Sequence, residues 1–98
     1  MNSYVLTNKA VEDFSSIWNY TAEEWSEAQA DKYYFKLLSI CQKLADQKLN
    51  GKLYCDLGLE VMGFRADNHI LFYRKISASK IEIIRILHQK MDYNKFLG

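Results

Sequence analysis

The chain has 98 residues with no proline, is 49% hydrophobic and 26% charged, and carries a formal net charge of +1 from 13 basic and 12 acidic side chains. Such a length and composition fit one globular domain, residues 1–98, with a core that needs no metal or disulfide. The near-zero charge argues against direct nucleic-acid binding as the main mode, because a phosphate-binding surface usually brings a clear basic excess.

Tyr4-Val5-Leu6 is short, apolar and β-favouring, and reads as a first strand. Thr7 and Asn8 then offer side-chain oxygens to cap a helix running to about Glu24. Val11, Phe14, Ile17, Trp18, Thr21 and Trp25 recur at helical spacing and predict one inward face. The acids Glu12 and Asp13, early in this helix, suit its N-terminal dipole.

Ser26 and Gln29 have capping-box spacing and start a second helix, with Ala30, Tyr33, Tyr34, Leu37, Cys41 and Leu44 as its apolar stripe. Asn50-Gly51 ends it with turn chemistry. The short break between the two helices predicts an antiparallel hairpin. The aromatic side chains Phe14, Trp18, Tyr20, Trp25, Tyr33 and Tyr34 fall at helical spacings and are expected in the helix–sheet core.

Residues 52–58 read as irregular, after which the period becomes that of strands. Glu60–Arg65, His69–Ile76 and Ile81–His88 are the candidates, separated by the turns Ala66-Asp67-Asn68 and Ser77-Ala78-Ser79-Lys80. Asp92 is placed to cap a last helical turn through Phe96. The expected order is β-α-α-β-β-β. This is an α+β fold, with the helix hairpin packed on one face of a mainly antiparallel sheet.

In the last strand strict alternation puts Ile81, Ile83, Arg85 and Leu87 on one face and Glu82, Ile84, Ile86 and His88 on the other. Both faces are largely apolar, so both need cover, and the helices supply only one. The second face is therefore expected to meet a partner protein, the alternative being cover by a loop or by the C-terminal tail. Arg65, Arg74, Arg85 and His88 are the polar groups that could converge there, where arginine would grip a carboxylate or phosphate. Arg85 stands mid-strand, where a charge is costly without a partner.

The two cysteines, Cys41 and Cys55, form no CxxC pair and are read as free thiols. No metal-ligand spacing, Gly-rich phosphate loop or nucleophile motif occurs, so no cofactor and no metal are expected. The start of the chain has no signal-peptide pattern and no window approaches a membrane span, which predicts a cytoplasmic protein without membrane contact.

Several local words carry a resemblance. Tyr4-Val5-Leu6-Thr7, Ala10-Val11-Glu12-Asp13-Phe14 and Ile17-Trp18-Asn19-Tyr20 are followed by Trp25, Ala28-Gln29-Ala30 and Tyr33-Tyr34. His69–Arg74 and Ile81–His88 follow, and then Lys90-Met91-Asp92 completes a His-x-x-Met-Asp ending. In these words the chain resembles the RelE/ParE toxin superfamily, most closely its ParE branch. The resemblance implies the toxin of a type II toxin–antitoxin system, neutralised by a cognate ParD-like antitoxin. ParE-like toxins act on DNA gyrase and cause growth arrest, and would make this chain a poison without chemistry of its own. The alternative is a RelE-type, ribosome-dependent mRNA endoribonuclease, for which Arg65, Arg85 and His88 match the catalytic neighbourhood. Against it stand the missing basic excess and Met62, which occupies a place where a basic residue often stands. Arg65, Arg74, Ile83, Arg85, Leu87 and His88 are thus the candidate antitoxin- or target-binding residues, with the antitoxin tail expected over Ile83, Arg85 and Leu87.

Overall fold

The computed structural model describes residues 2–54, 60–92 and 95. Strand β1 (Ser3–Leu6) leads through Thr7 into helix α1 (Asn8–Glu24). Helix α2 (Glu27–Ala45) follows after two residues, and then come β2 (Lys52–Leu53), β3 (Met62–Ala66), β4 (His69–Ser77) and β5 (Lys80–His88). The five strands form one sheet in the order β1-β5-β4-β3-β2, with β1 parallel to β5 and every other pairing antiparallel. The expected α+β arrangement is present, with one addition. Lys52–Leu53, read as irregular from the sequence, pairs with β3 as a short edge strand, a two-residue run too short for any periodicity to show.

Thr7 binds sheet to helix. Its N–H donates to the Ile83 carbonyl at 3.1 Å and its hydroxyl to the Ile84 carbonyl at 2.7 Å. The same Oγ1 accepts the Ala10 N–H at 3.0 Å as the N-cap of α1. Ser26 caps α2 in the same manner, accepting from the Gln29 N–H at 3.0 Å. The second helix ends earlier than its turn chemistry suggested. Asp46 is its C-cap, and Gln47 takes a left-handed φ of 62°. Asn50-Gly51 instead leads into β2, with the Gly51 N–H donating to Tyr73 Oη at 2.8 Å.

The main core lies between the helices and one sheet face: Ala10 and Phe14 from α1, Leu37, Ile40, Cys41, Leu44 and Ala45 from α2, and Leu71, Tyr73, Ile81, Ile83 and Ile86 from the sheet. Each large apolar side chain removed from water here contributes about 1.5–3 kcal/mol. Burial pushes the Cys41 thiol up to about 12, so this cysteine is a small hydrophobe rather than a nucleophile. Cys41 is free, and Cys55 lies outside the described residues. Not every residue of the α1 stripe reaches the core. Val11 and Trp25 are 49% and 77% exposed, because α1 leans on β5 and α2 along a face narrower than its apolar stripe. Nor do Glu12 and Asp13 serve the helix dipole, since the first turn of α1 holds no acid.

The second sheet face holds a smaller cluster of Val61, Phe72 and Leu87, against which Tyr54, Ile70 and Ile84 pack. Phe72 and Leu87 are 0% and 2% exposed in the chain by itself. The centre of this face is therefore covered within the chain, while Arg65 and Arg74 remain exposed. Tyr54 supplies part of the cover, its ring edge-on to Phe72 at 5.3 Å. It can lie so close to the sheet because residue 63 is glycine: a Cβ there would stand 2.5 Å from the Tyr54 ring.

The turns are tighter than the sequence implied. Ala66 and Lys80 belong to strands, and Asp67-Asn68 and Ala78-Ser79 make the connections. Asp67 adopts φ 55°, which a short Asp side chain tolerates. The expected helical turn after Asp92 falls mostly outside the described residues, although the Lys95 N–H does donate to the Asp92 carbonyl at 3.1 Å.

Candidate functional site

One irregularity decides where the polar residues go. Between β4 and β5, Phe72 is opposite Arg85 while Tyr73 is opposite Ile83, so Ile84 has no opposite number. An extra residue in one strand shifts the alternation beyond it. Ile81 and Ile83 face the helices before the bulge and Ile86 does so after it, while Ile84 and Leu87 join the second cluster. Ile83, Arg85 and Leu87 therefore do not share a face. Ile83 and Leu87 are buried on opposite sides, at 0% and 2% exposure. In the isolated chain they support the surface from beneath and offer none of it.

Arg85 turns to α1. Its Nε and Nη2 donate to the two carboxylate oxygens of Asp13 at 2.8 and 2.9 Å. Both side chains are nearly buried, at 13% and 14% exposure. The mid-strand charge thus finds its partner within the chain. Its hydrogen bonds to Asp13 raise the Arg85 pKa further.

Arg65 and Arg74 lie on the sheet face away from the helices. Arg65 is exposed and its Nε donates to the Asp67 carbonyl at 3.3 Å. Arg74 pairs across the strands with Glu82 at 2.9 Å. Arg65 is opposite Ile70, four residues along β4 from Arg74, which at a strand's rise is about 13 Å. The two do not converge. Met62 packs against the main core, so the place where a basic residue often stands is turned towards the helices.

His88 is opposite His69 on the helix side, their rings 5.5 Å apart. Tyr33 Oη lies 2.8 Å from His69 Nδ1, and His88 Nδ1 accepts the Lys90 N–H at 3.2 Å. A neutral His88 must then carry its proton on Nε2. Burial, and after it His88, hold the His69 pKa below its usual range, with Asp67 and Asp13 pulling the other way. Burial raises Tyr33 to about 12. Tyr33, His69 and His88 line an open cleft whose other wall is the end of the helix hairpin. Sequence reasoning missed the Tyr33–His69 link and the role of Asp13. Only the demand of a mid-strand arginine for an acid hinted at the second. Among the described residues no group of three or more His, Cys, Asp or Glu side chains could hold a metal ion. No helix among them is long and apolar enough to cross a membrane.

This arrangement is a small sheet carrying two separated arginines, an internal Asp–Arg lock on α1, and a histidine-floored cleft beside the hairpin. A family model described as the ParE toxin of the type II toxin–antitoxin system parDE matches residues 4–93.

The chain belongs to the ParE toxin family.

It is 31% identical over 98 residues to Toxin ParE1 of Caulobacter vibrioides, covering 100% of both chains. It is 30% identical over 92 residues to Toxin ParE of Escherichia coli, covering 94% of this chain and 89% of that one. The solved structure of a chromosomal ParDE toxin–antitoxin system from P. aeruginosa is similar in fold, with a TM-score of 0.74 at 18% identity, over 90% of this chain and 96% of that one. Membership of the ParE family makes this chain the toxin of a type II toxin–antitoxin pair, and so implies an antitoxin partner.

Proposed function

We propose that this ParE-family toxin inhibits DNA gyrase by binding it, without chemistry of its own, and that a cognate ParD-like antitoxin neutralises it in the cytoplasm. The observation that carries gyrase over messenger RNA is the Asp13–Arg85 lock. An RNA-cleaving site needs cations that converge on one phosphate. Here Arg85 is committed to α1, Arg74 to Glu82, and Arg65 stands apart on the sheet. The antitoxin tail is proposed to lie over the face that carries Arg65 and Arg74. Leu87 would support it from within that face and Ile83 from the opposite one, and Arg85 and His88 would flank it.

The test is direct. Purified toxin in excess should halt supercoiling by gyrase and leave broken DNA, and addition of the antitoxin should restore activity. Normal supercoiling in the presence of folded toxin would reject the proposal. In cells, a pulse of expression without the antitoxin should stop DNA synthesis before protein synthesis.

The ribonuclease reading keeps one specific support. Tyr33, His69 and His88 meet in an open cleft, which is a setting for acid–base work. It requires that His88→Ala abolish mRNA cleavage on loaded ribosomes while the protein stays folded. Translation failing before DNA synthesis in the pulse experiment would favour it.

A further inference from the structure

The tip of the helix hairpin carries large aromatic side chains that the core does not use. Tyr20 and Trp25 are 66% and 77% exposed. They form one wall of an open cleft of about 940 Å³ whose floor is Tyr33, His69 and His88. Large aromatic side chains left in water beside a concavity are typical of protein recognition sites, where tryptophan and tyrosine are the usual anchors.

The charge around them has one sign. From Ala10 to Asp31 the chain has the six acids Glu12, Asp13, Glu23, Glu24, Glu27 and Asp31, and no lysine, arginine or histidine. Asp13 is used by Arg85, and Asp31 accepts the Trp18 indole N–H at 2.9 Å. Glu23, Glu24 and Glu27 flank Trp25, are exposed, and join no ion pair among the described residues. Lys32, exposed, follows Asp31 in α2, and Lys36 is held by Asp67 at 2.7 Å. Exposed indole and phenol faces beside unpaired carboxylates select a cation, and a planar guanidinium above all, because it stacks on the ring while its edge forks to carboxylate. A phosphate backbone would be repelled by the same carboxylates.

We propose that the hairpin tip, with Trp25 and Tyr20 as anchors, is a docking site for an arginine-bearing segment of a partner protein. The segment lies in the cleft, with arginine on the aromatic wall and its charge met by Glu23, Glu24 and Glu27. The site is separate from the sheet arginines, so it does not depend on the identity of the toxin's target.

The experiment is calorimetric titration of the full chain, at low salt, with a blocked peptide of alternating arginine and glycine. A matched peptide with citrulline in place of arginine and an oligothymidylate serve as the comparison ligands. The arginine peptide should bind saturably, more weakly as salt rises, and shift the Trp25 indole resonance. Trp25→Ala and the triple change Glu23→Gln, Glu24→Gln, Glu27→Gln should each weaken it at least tenfold. Both variants alter exposed side chains, and circular dichroism confirms that they fold. Undiminished binding by Trp25→Ala, equal binding of the citrulline peptide, or no binding at all would overturn the proposal. So would tighter binding of oligothymidylate at the same residues. Self-association of the parent chain that Trp25→Ala abolishes would also overturn it, and would make a second copy the occupant.

Discussion

Asp13 and Arg85, 72 residues apart in sequence, meet in a two-pronged ion pair, and the same Asp13 carboxylate accepts the Ile86 N–H at 3.0 Å. Strand β1 stops pairing at Leu6, opposite Ile83. Beyond that point no strand among the described residues lies on the outer side of β5, and α1 takes over the edge. Thr7 holds the Ile84 carbonyl and Asp13 the Ile86 N–H. One acid thus satisfies a mid-strand charge and an open strand edge together.

Removing that acid should be costly. Asp13→Ala strands a nearly buried guanidinium and a backbone N–H, and breaking such a pair costs on the order of 3 kcal/mol. In a domain of this size that lowers Tm by roughly 12–24 °C. Asp13→Asn should cost less, because its amide oxygen can still accept from Ile86. Thermal unfolding of both variants checks the order. The double change Asp13→Ala, Arg85→Leu should be less damaging than Asp13→Ala alone, as no unpaired charge remains.

Gly63→Ala should destabilise the second sheet face. The new methyl would stand 2.5 Å from the Tyr54 ring, forcing it off Phe72 at a cost of about 1–3 kcal/mol. A lower urea midpoint, together with altered near-ultraviolet circular dichroism, is the expected result. Adding Tyr54→Ala to Gly63→Ala should bring no further large loss.

Leu87→Asp probes the fold rather than a binding surface. With Leu87 2% exposed, a carboxylate there would have no water and no partner, and the cost should exceed about 3 kcal/mol. The variant should express as aggregate or fail to show a cooperative unfolding transition. Arg65→Ala and Arg74→Ala change exposed side chains and should stay within about 0.5 kcal/mol of the parent. They are the variants with which to measure antitoxin affinity.

His69 sets a pH dependence. Its folded pKa lies below the ordinary value of 6.5, chiefly through burial and then through His88. The unfolded chain therefore binds the proton more readily. The stabilisation it gives is present above pH 6.5 and is lost as pH falls through the folded pKa. Urea midpoints measured from pH 7.5 to 5 should fall, and His69→Gln should flatten that part of the curve.

Much of this was legible in the sequence because it rests on local chemistry. Thr7 and Ser26 announced both helix starts, since a hydroxyl that can accept the third N–H of a helix acts within one turn. The apolar runs of β4 and β5 and the short polar turns between strands pointed to the meander. The words shared with ParE toxins pointed to the family. The α1 stripe was less reliable, because a helix pattern reports which residues avoid charge and not how wide a contact the neighbours offer. Val11 and Trp25 were misplaced for that reason.

The sequence by itself determined the element order apart from the two-residue β2, the helix caps and the toxin family, all of which follow from contacts between near neighbours or from recurring local words. Only the tertiary structure decided the surface. A single unpaired residue, Ile84, reverses the alternation of β5, and no one-dimensional pattern marks which strand carries an extra residue. That slip separates Ile83 from Leu87. Arg85 is drawn to Asp13 because the distance between residues far apart in sequence is set by how α1 crosses the edge of the sheet, and by nothing nearer in the chain.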